Sequence, residues 1–361
     1  MGNRDQAIDS RLRNVQNIIR KKRLDALYVG AIKNVRYLSG FTGSSGFILI
    51  TKDRVLFFTD FRYKEQSEAE VKGCETGIET GSRVLLLRRL VKSLGIKRLG
   101  FESSLSYEFY TLLKGLPVTL EPKRSIIENF RKVKDESEIS AISSAVERAE
   151  AAFLKVKPFI KVGSKERAVS LRLEEQLKRE GCKSLPFDII IASGENSSKP
   201  HAQPTEKKIG KGDFVMIDWG GEAEGYYSDM TRTLLMAGDN LHEKIKIYMV
   251  VNKARQKAVA AVGAGVKTQD IDRAARETIK KAGYGEFFGH GTGHGVGLDV
   301  HEAPRVSWPK GDRVSDGFVF TIEPGIYVPK LGGVRIEDML TLKGRKGRFL
   351  TSLSRELEII K

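Results

Sequence analysis

Residues 214–235 read FVMIDWGGEAEGYYSDMTRTLL, two apolar stretches joined by a short segment rich in Gly and Glu. This pattern predicts two antiparallel strands, at 214–219 and 226–235, with a hairpin-type turn between them. If the turn centres on Ala223 and Glu224, Asp218 and Asp229 lie opposite each other. Like charges facing across two strands are destabilising, so the pair needs a shared proton or a cation. The alternative is two surface aspartates on an exposed edge.

The sequence around this hairpin predicts an α+β domain with an antiparallel sheet and flanking helices. A long amphipathic helix follows Asp135, a plausible N-cap, and Thr268 is a plausible cap of a later helix. The other predicted elements of this part are strands at 188–192, 318–322 and 333–342 and helices at 164–180, 240–262 and 268–282.

The first third of the chain has a different pattern, in which helix-like and strand-like segments alternate. This alternation predicts a separate α/β domain. We place the boundary near residue 130, which gives an N-terminal domain at 1–130 and a catalytic domain at 131–361. The predicted elements are strands at 26–29, 47–50 and 55–58 and helices near 10–23, 62–72, 83–94 and 105–114.

The composition is that of a globular protein, with 361 residues, 40% hydrophobic and 30% charged. The net charge of +16 is compatible with a nucleic acid, a membrane surface or an acidic partner. Because the basic residues are spread along the chain, we interpret them as a solvated surface and expect no nucleic acid and no membrane. Cys74 and Cys182 lack metal-pair spacing, and the N-terminal stretch lacks an apolar signal core. We therefore expect a cytoplasmic protein with two thiols, although one disulfide is an alternative.

Three of the five histidines lie in the stretch HGTGHGVGLDVH, at His290, His294 and His301. Four glycines alternate through the same stretch, and glycine permits close approaches of the backbone. Clustered imidazoles usually indicate metal binding or proton transfer. A Gly-rich loop with incidental histidines is the alternative.

Two further carboxylates follow in the C-terminal third, Glu323 after an apolar strand and Glu337 in GGVRIEDML. Strand alternation puts Arg335 and Glu337 on one face, where the guanidinium can support a liganding carboxylate. With Asp218 and Asp229, the set is rich in oxygen, includes one imidazole and has no thiolate, which suits two bridged divalent ions. We expect Mn²⁺, with Co²⁺, Zn²⁺ and Fe²⁺ as alternatives.

The ordered motifs resemble those of the aminopeptidase P and prolidase group, within the M24 metallopeptidases that share the pita-bread fold. NVRYLSGFTGSSGF (34–47) and TDFRY (59–63) resemble the group's creatinase-like N-terminal domain. The sequences KPHAQPT, MIDWGG, YYSDMTRT, HGTGHGVGLDVHE, TIEPGIY and GGVRIED resemble its catalytic motifs, in order. The resemblance therefore implies a pita-bread catalytic domain preceded by a creatinase-like α/β domain.

The resemblance also implies a set of metal ligands. Asp218 binds one ion, Asp229 and Glu337 bridge the two ions, and His294 with Glu323 completes the other site.

Further roles follow from the same resemblance. His201 and His301 act on the substrate as catalytic residues, and His301 contacts the substrate carbonyl. His290 lines the substrate pocket, and Arg335 supports the metal-binding aspartate at the substrate-binding site. His242 matches no motif, and we expect it on a helix surface.

The implied reaction is hydrolysis of the Xaa–Pro bond at the N-terminus of a peptide, by a hydroxide that bridges two metal ions. Glu323 is the candidate that carries the proton to the leaving proline nitrogen. The resemblance further suggests a homodimer.

Three other readings share this fold. A methionine aminopeptidase has the same ligand types, but the long N-terminal domain and the VRIED motif favour the proline-directed group. Creatinase-like hydrolases and non-catalytic binding modules typically lack ligands that are all present here. Within the proline-directed group, a dipeptidase needs a cation for the free carboxylate of Xaa-Pro. Arg305 is the candidate for this substrate-binding role, and a solvated arginine is the alternative, so substrate length stays open.

Overall fold

A computed structural model describes residues 3–309 and 311–361. These residues form two compact units, of which the first ends at Arg131 and the second is Lys132–Lys361. The elements of the first unit are α1 (Asn3–Lys21), β1 (Ala26–Val29), α2 (Ile32–Ser39), β2 (Phe47–Thr51), β3 (Val55–Thr59), α3 (Lys64–Glu70), β4 (Glu75–Ile78), α4 (Arg83–Ser93), β5 (Arg98–Glu102), α5 (Tyr107–Leu113), β6 (Thr119–Lys123) and α6 (Ile126–Arg131).

The first unit is built on one six-stranded mixed sheet in the order β4-β3-β2-β1-β5-β6. The outer pairs β3–β4 and β5–β6 are parallel, whereas β1–β2 and β2–β3 are antiparallel. Tyr28, Phe47 and Leu99 lie in a core that the helices cover. This architecture confirms the predicted α/β pattern. Helix α1 begins before the predicted residue 10, because Ile8 extends its buried stripe.

The second unit is an α+β structure with small sheets that are antiparallel apart from the parallel pair β11–β19. Its elements are α7 (Glu136–Val156), α8 (Glu166–Arg179), β7 (Ile190–Ser193), β8 (Phe214–Trp219), β9 (Glu222–Ala223), β10 (Tyr226–Tyr227), β11 (Met230–Met236), α9 (His242–Ala260), α10 (Thr268–Lys281), β12 (Gly293–Gly295), β13 (Glu302–Val306), β14 (Val319–Ile322), β15 (Gly325–Val328), β16 (Gly332–Arg335), β17 (Asp338–Lys343), β18 (Lys346–Phe349) and β19 (Ile359–Ile360).

Two sheets carry most of the strands in this unit. One has the order β19-β11-β8-β7 and the other β13-β12-β14-β17-β18. Helix α7 packs against the first through Trp219, whose indole nitrogen donates to the Ala149 carbonyl at 2.9 Å. Helices α9 and α10 share a core with Phe320 and Leu340 of the second sheet. No helix in the described part of the chain is long and apolar enough to cross a bilayer.

One of the two predicted helix caps is present. Asp135 accepts hydrogen bonds from the Ser137 and Glu138 amides at 3.0 Å each, and Glu138 accepts from the Asp135 amide at 3.1 Å. This reciprocal arrangement is a capping box. The predicted cap at Thr268 is wrong. Lys267 occupies the N-cap position, and the Thr268 hydroxyl donates to the Arg305 carbonyl at 2.7 Å instead.

The register of the central hairpin differs from the predicted one. Asp218 pairs with Thr231 rather than with Asp229. The reason is that β9 and β10 form a separate small hairpin. Its base is closed by Ser228, whose amide donates to the Gly221 carbonyl at 2.9 Å. Ser228 and Asp229 therefore lie between β10 and β11, and Asp229 precedes Thr231, the partner of Asp218, by two residues.

The predicted strand at 333–342 is also two strands, β16 and β17, separated at Ile336 and Glu337. The predicted facing of its side chains is nevertheless confirmed. Val334 and Ile336 are fully buried in the core that contains α9 and α10. Arg335 and Glu337 point to the opposite side, toward the carboxylates of the central hairpin.

Candidate metal centre

The five predicted ligands come from five separate positions at strand ends and breaks. Asp218 lies in β8, Asp229 just before β11, and His294 in β12. Glu323 directly follows β14, and Glu337 lies in the break between β16 and β17. Strand pairing brings the ligands of each sheet together, and the Glu337 amide, which donates to the Thr231 carbonyl at 3.1 Å, joins the two sets.

The side chains of these residues form three overlapping groups in which the potential ligand atoms lie within 4.8 Å of one another. The groups are Asp218–Asp229–Glu337, His294–Glu323–Glu337 and Asp229–His294–His301. His294 Nε2 lies 3.5 Å from an Asp229 oxygen and 3.4 Å from a Glu323 oxygen. The structure therefore brings all five predicted ligands into one cluster, and it adds His301 at the edge.

The cluster is buried, and its acids repel one another. Burial and the neighbouring charges of Glu337 and Asp218 raise the pKa of Asp229 well above its ordinary value. Burial, followed by Glu323 and Asp218, does the same to the pKa of Glu337. Burial also raises the pKa of Glu323, although His290 and Arg335 oppose it. The site therefore holds an excess of acidic groups, which a bound cation would neutralise.

A divalent cation fits the donor set. Asp218 is 9% exposed, and its Oδ1 is buried without a hydrogen-bond partner in the described residues. Leaving such an atom unpaired is costly unless a ligand binds it. Burial lowers the pKa of His294, so the imidazole is neutral and can donate a lone pair to a metal. Carboxylates with one imidazole suit Mn²⁺, Co²⁺, Fe²⁺ and Zn²⁺.

Arg335 supports the cluster through hydrogen bonds to Asp218 and to its neighbours. Its Nη2 donates to Asp218 Oδ2 at 2.5 Å, its Nε to the Thr231 hydroxyl at 3.0 Å and its Nη1 to the Pro200 carbonyl at 3.2 Å. Burial would lower the pKa of Arg335, but Tyr327, Asp218, Glu323 and Glu337 together raise it. The guanidinium is thus charged, 3% exposed and directed at Asp218 rather than at solvent.

Sequence reasoning missed three hydroxyl residues of the site, two of which hydrogen-bond to the acids. The Thr231 hydroxyl donates to Glu337 at 2.7 Å, and the Thr321 hydroxyl donates to Glu323 at 3.3 Å while it accepts from the His294 amide at 3.1 Å. Strand periodicity could have indicated both threonines, because each lies two residues from a ligand and therefore on the same face.

Tyr327 is the third missed residue. Its hydroxyl lies 2.9 Å from His290 Nε2 and accepts from Arg335 Nη1 at 2.9 Å. Burial, opposed by Arg335, raises the pKa of Tyr327 to about 12, so the phenol keeps its proton. No local pattern in TIEPGIY indicates that this hydroxyl links a histidine to the arginine beneath Asp218.

The other predicted residues take different positions. His290 is half-buried against Phe288, with ring centroids 5.1 Å apart. His301 is exposed, and its ring centroid lies 4.3 Å from that of His294. His201 is exposed. Burial is the main cause of the lowered pKa of His290, and partial burial of the ring is the main cause for His301.

Arg305 and His242 are both exposed. Arg305 lies in β13, paired with His294 of β12, and it contributes to the lowered pKa of His301. Its side chain has no ion-pair partner among residues 5–309 and 311–361. His242 begins helix α9, away from the cluster, as predicted for a surface helix residue.

Comparison with known proteins identifies the family. Residues 140–343 match metallopeptidase family M24, and residues 11–133 match the creatinase/prolidase N-terminal domain. The Xaa-Pro dipeptidase of Pyrococcus horikoshii (strain ATCC 700860 / DSM 12428 / JCM 9974 / NBRC 100139 / OT-3) is 38% identical over 358 residues, which cover 97% of this chain and 99% of the relative.

Solved structures agree with these matches. An Xaa-Pro dipeptidase from Bacillus anthracis superimposes with a TM-score of 0.94 at 36% identity, over 99% of this chain and 100% of that one. An X-Pro aminopeptidase from Thermotoga maritima MSB8 gives 0.87 at 34% identity, over 94% and 100%. The predicted fold, a pita-bread domain preceded by a creatinase-like domain, is confirmed. The chain belongs to metallopeptidase family M24 and is a metal-dependent hydrolase with a creatinase/prolidase N-terminal domain.

Proposed function

We propose that this chain hydrolyses the Xaa–Pro bond at the N-terminus of proline-containing peptides. The observation that carries the proposal is the buried cluster of four carboxylates and one imidazole, with Asp218 Oδ1 unpaired among the described residues. Relatives named as Xaa-Pro dipeptidases and an X-Pro aminopeptidase match nearly the whole chain, which supports proline as the second residue of the substrate.

We further propose that the cluster holds two ions with divided roles. The group Asp218–Asp229–Glu337 and the group His294–Glu323–Glu337 share Glu337, and Asp229 lies near both. This sharing supports Asp229 and Glu337 as bridging ligands. Asp218 then serves one ion, while His294 and Glu323 serve the other. When bound, two such ions supply a water of lowered pKa and polarise the scissile carbonyl.

The remaining steps belong to residues of the chain. The proline nitrogen leaves as an amine, so it must gain a proton as the bond breaks. Glu323 is the proposed carrier of that proton, because its carboxylate lies inside the cluster, 3.4 Å from His294 Nε2, next to where a metal-bound water would lose its proton. His301, exposed beside His294, is placed to donate to the developing oxyanion. His201 orients the substrate, His290 lines its pocket, and Arg335 holds Asp218 in place.

An assay with Leu-Pro and Leu-Pro-Xaa peptides tests the proposed activity. The purified protein should cleave at least one of them with added Mn²⁺, and a chelator should abolish cleavage. His294→Ala should lose metal and activity together. His242→Ala is the matched control, since His242 is exposed on helix α9, and it should keep both. A chain that takes up no divalent ion and cleaves no Xaa–Pro bond would contradict the proposal.

Substrate length depends on Arg305. We propose that this exposed guanidinium binds the free carboxylate of an Xaa-Pro dipeptide, because it lies beside His294 in the sheet and lacks an ion-pair partner among the described residues. Arg305→Ala should then raise KM for Leu-Pro and leave Leu-Pro-Xaa unaffected. The exposed Arg345 is a matched control. An unchanged ratio between the two substrates would rule out the carboxylate role.

Four further features complete the proposal. Residues 1–130 and 131–361 act as separate domains, which the two compact units support. Mn²⁺ is the proposed ion, given the oxygen-rich donors.

The protein works in the cytoplasm, which the free thiols of Cys74 and Cys182 support. It assembles as a homodimer, a state that sedimentation of the purified protein would test.

A further inference from the structure

One buried carboxylate, that of Glu166, hydrogen-bonds to both ends of the 193–205 segment, which contains His201. Glu166 is the first residue of α8, and it is fully buried. Its Oε1 accepts from the Ser193 amide and hydroxyl at 2.7 Å each. Its Oε2 accepts from the Thr205 amide at 3.0 Å and the Thr205 hydroxyl at 2.6 Å. The two ends of the 193–205 segment therefore meet on the two oxygens of one side chain.

Glu166 can serve both ends because both of its carboxylate oxygens act as acceptors. Asn196, inside the segment, donates from its amide to both oxygens, at 3.2 and 3.1 Å. All of these partners are donors, and an ionised carboxylate is a pure acceptor. Hydrogen bonds to an ionised group are roughly twice as strong as neutral ones. A glutamine at this position would present a donor to one of the two ends.

The middle of the segment hydrogen-bonds to strand β16, which carries Arg335. The Ser197 hydroxyl accepts from the Gly333 amide at 2.8 Å, and the Pro200 carbonyl accepts from Arg335 at 3.2 Å. Arg335 is also the residue that donates to Asp218. His201, which directly follows Pro200, is thus held between the anchor at Glu166 and the arginine beneath the cluster. Its own side chain is exposed.

We propose that Glu166 is a positioning residue, which sets the location of His201 relative to the metal centre by fixing both ends of the 193–205 segment. The inference rests on the proposed function, because the role of His201 toward the substrate is part of it. The hydrogen bonds of Glu166 go to Ser193, Asn196 and Thr205, and Glu166 therefore acts through the segment.

A double-mutant cycle in kcat/KM for Leu-Pro tests this inference. Glu166→Gln should lower kcat/KM about 10- to 100-fold. The double variant with His201→Ala should be no worse than His201→Ala alone, because both changes remove the same contribution. Mn²⁺ affinity should stay within about twofold of the wild type. Glu175→Gln, at an exposed position of the same helix, is the matched control and should keep full activity.

Amide hydrogen exchange provides a readout that does not depend on activity. The Ser193 and Thr205 amides donate to Glu166, so Glu166→Gln should speed their exchange in both the metal-free and the Mn²⁺-loaded protein. If Glu166→Gln does not fold, Thr205→Val replaces it in the same cycle, because it releases one end only.

Each contrary result identifies what has failed. Unchanged exchange, full activity of Glu166→Gln or additive losses in the cycle would overturn the positioning role. A fully active His201→Ala would also overturn it, and the proposed peptidase activity would stand. A wild-type protein without Xaa–Pro activity would overturn the proposed function and this inference together.

Discussion

Asp218 shows at the scale of one residue how the site is prepared for a cation. One carboxylate oxygen accepts from Arg335 at 2.5 Å, while the other is buried and has no partner in the described chain. A guanidinium fixes the orientation of a carboxylate strongly. The free oxygen is therefore held in a defined direction, which lowers the cost of ordering a ligand when the metal binds.

Tyr327→Phe tests the network beneath this aspartate. The change removes the hydroxyl that joins His290 to Arg335 and leaves the ring in place. It should lower the free energy of unfolding by about 1–3 kcal/mol, because buried polar groups lose their partner. It should also lower kcat/KM about 10-fold, because His290 loses its fixed orientation. Urea unfolding and steady-state kinetics measure the two effects.

Tyr248→Phe is the control for this prediction. Its hydroxyl also makes two hydrogen bonds, to the Arg355 and Glu356 carbonyls at 3.2 Å each, but it lies on α9. This variant should lose a comparable amount of stability and keep its activity. Equal activity of the two variants would show that the Tyr327 hydroxyl serves stability alone.

At this scale the sequence predicts the metal ligands better than it predicts the residues that hydrogen-bond to them. Asp218 and His294 stand out because an acid in an apolar strand and a histidine among alternating glycines are unusual in themselves. The support of Asp218 by Arg335 joins residues 117 positions apart. Only the family resemblance predicted it, because periodicity describes a single element and not the pairing of distant strands.

At the scale of elements, strand β12 positions His294 through close backbone packing. Gly293 and Gly295 flank the histidine, and a Cβ on Gly293 would overlap the Thr321 carbonyl oxygen. Helix α10 supports the approach to this strand, since Asp272 accepts from the Thr292 amide at 3.1 Å and from its hydroxyl at 2.8 Å. The Gly-rich motif therefore reflects a requirement for space as much as for ligands.

Gly293→Ala should consequently displace His294. Overpacking of this kind costs about 1–3 kcal/mol of stability, and we expect weaker Mn²⁺ binding because the strand must move away from Thr321. Calorimetric titration with Mn²⁺ measures the change. Gly289→Ala is the control, because no atom lies within 4 Å of a Cβ at that position. Wild-type affinity in Gly293→Ala would contradict the packing account.

For the hairpin of β8 and β11, the sequence predicts where the strands lie but not how their residues pair. Strand positions follow from apolar runs, but the register depends on how the intervening residues fold. The small β9–β10 hairpin and the Ser228 bonds to Gly221 shift the pairing by two residues, so that Thr231 faces Asp218. A two-residue shift keeps the side chains on the same face. Asp218 and Asp229 accordingly still meet at one site.

On the scale of the molecule, a buried ion cluster ties the C-terminal segment to the catalytic unit. Asp338 is fully buried and accepts from Arg232 at 2.8 Å, Arg355 at 2.9 Å and Arg255 at 3.3 Å. Arg232 also donates to the Leu353 carbonyl at 3.0 Å and to the Glu337 carbonyl at 2.6 Å. The backbone of a proposed bridging ligand is thus connected to the end of the chain.

Asp338→Ala should therefore destabilise the protein strongly. It leaves three guanidinium groups, two of them buried, without their shared carboxylate, and breaking a buried pair costs about 3–5 kcal/mol. Glu136→Ala breaks an exposed pair with Lys343 and should cost about 0–1 kcal/mol. Denaturant unfolding of the metal-free variants makes the comparison. Similar losses in both would contradict a structural role for the cluster.

The proposed function depends on two ions in the cluster of Asp218, Asp229, His294, Glu323 and Glu337. A crystal structure of the Mn²⁺-loaded protein, with anomalous differences measured at the manganese edge, tests this most directly. We predict two peaks roughly 3.5–4 Å apart among these five side chains. A single peak, or manganese bound elsewhere with this cluster empty, would contradict the two-metal centre.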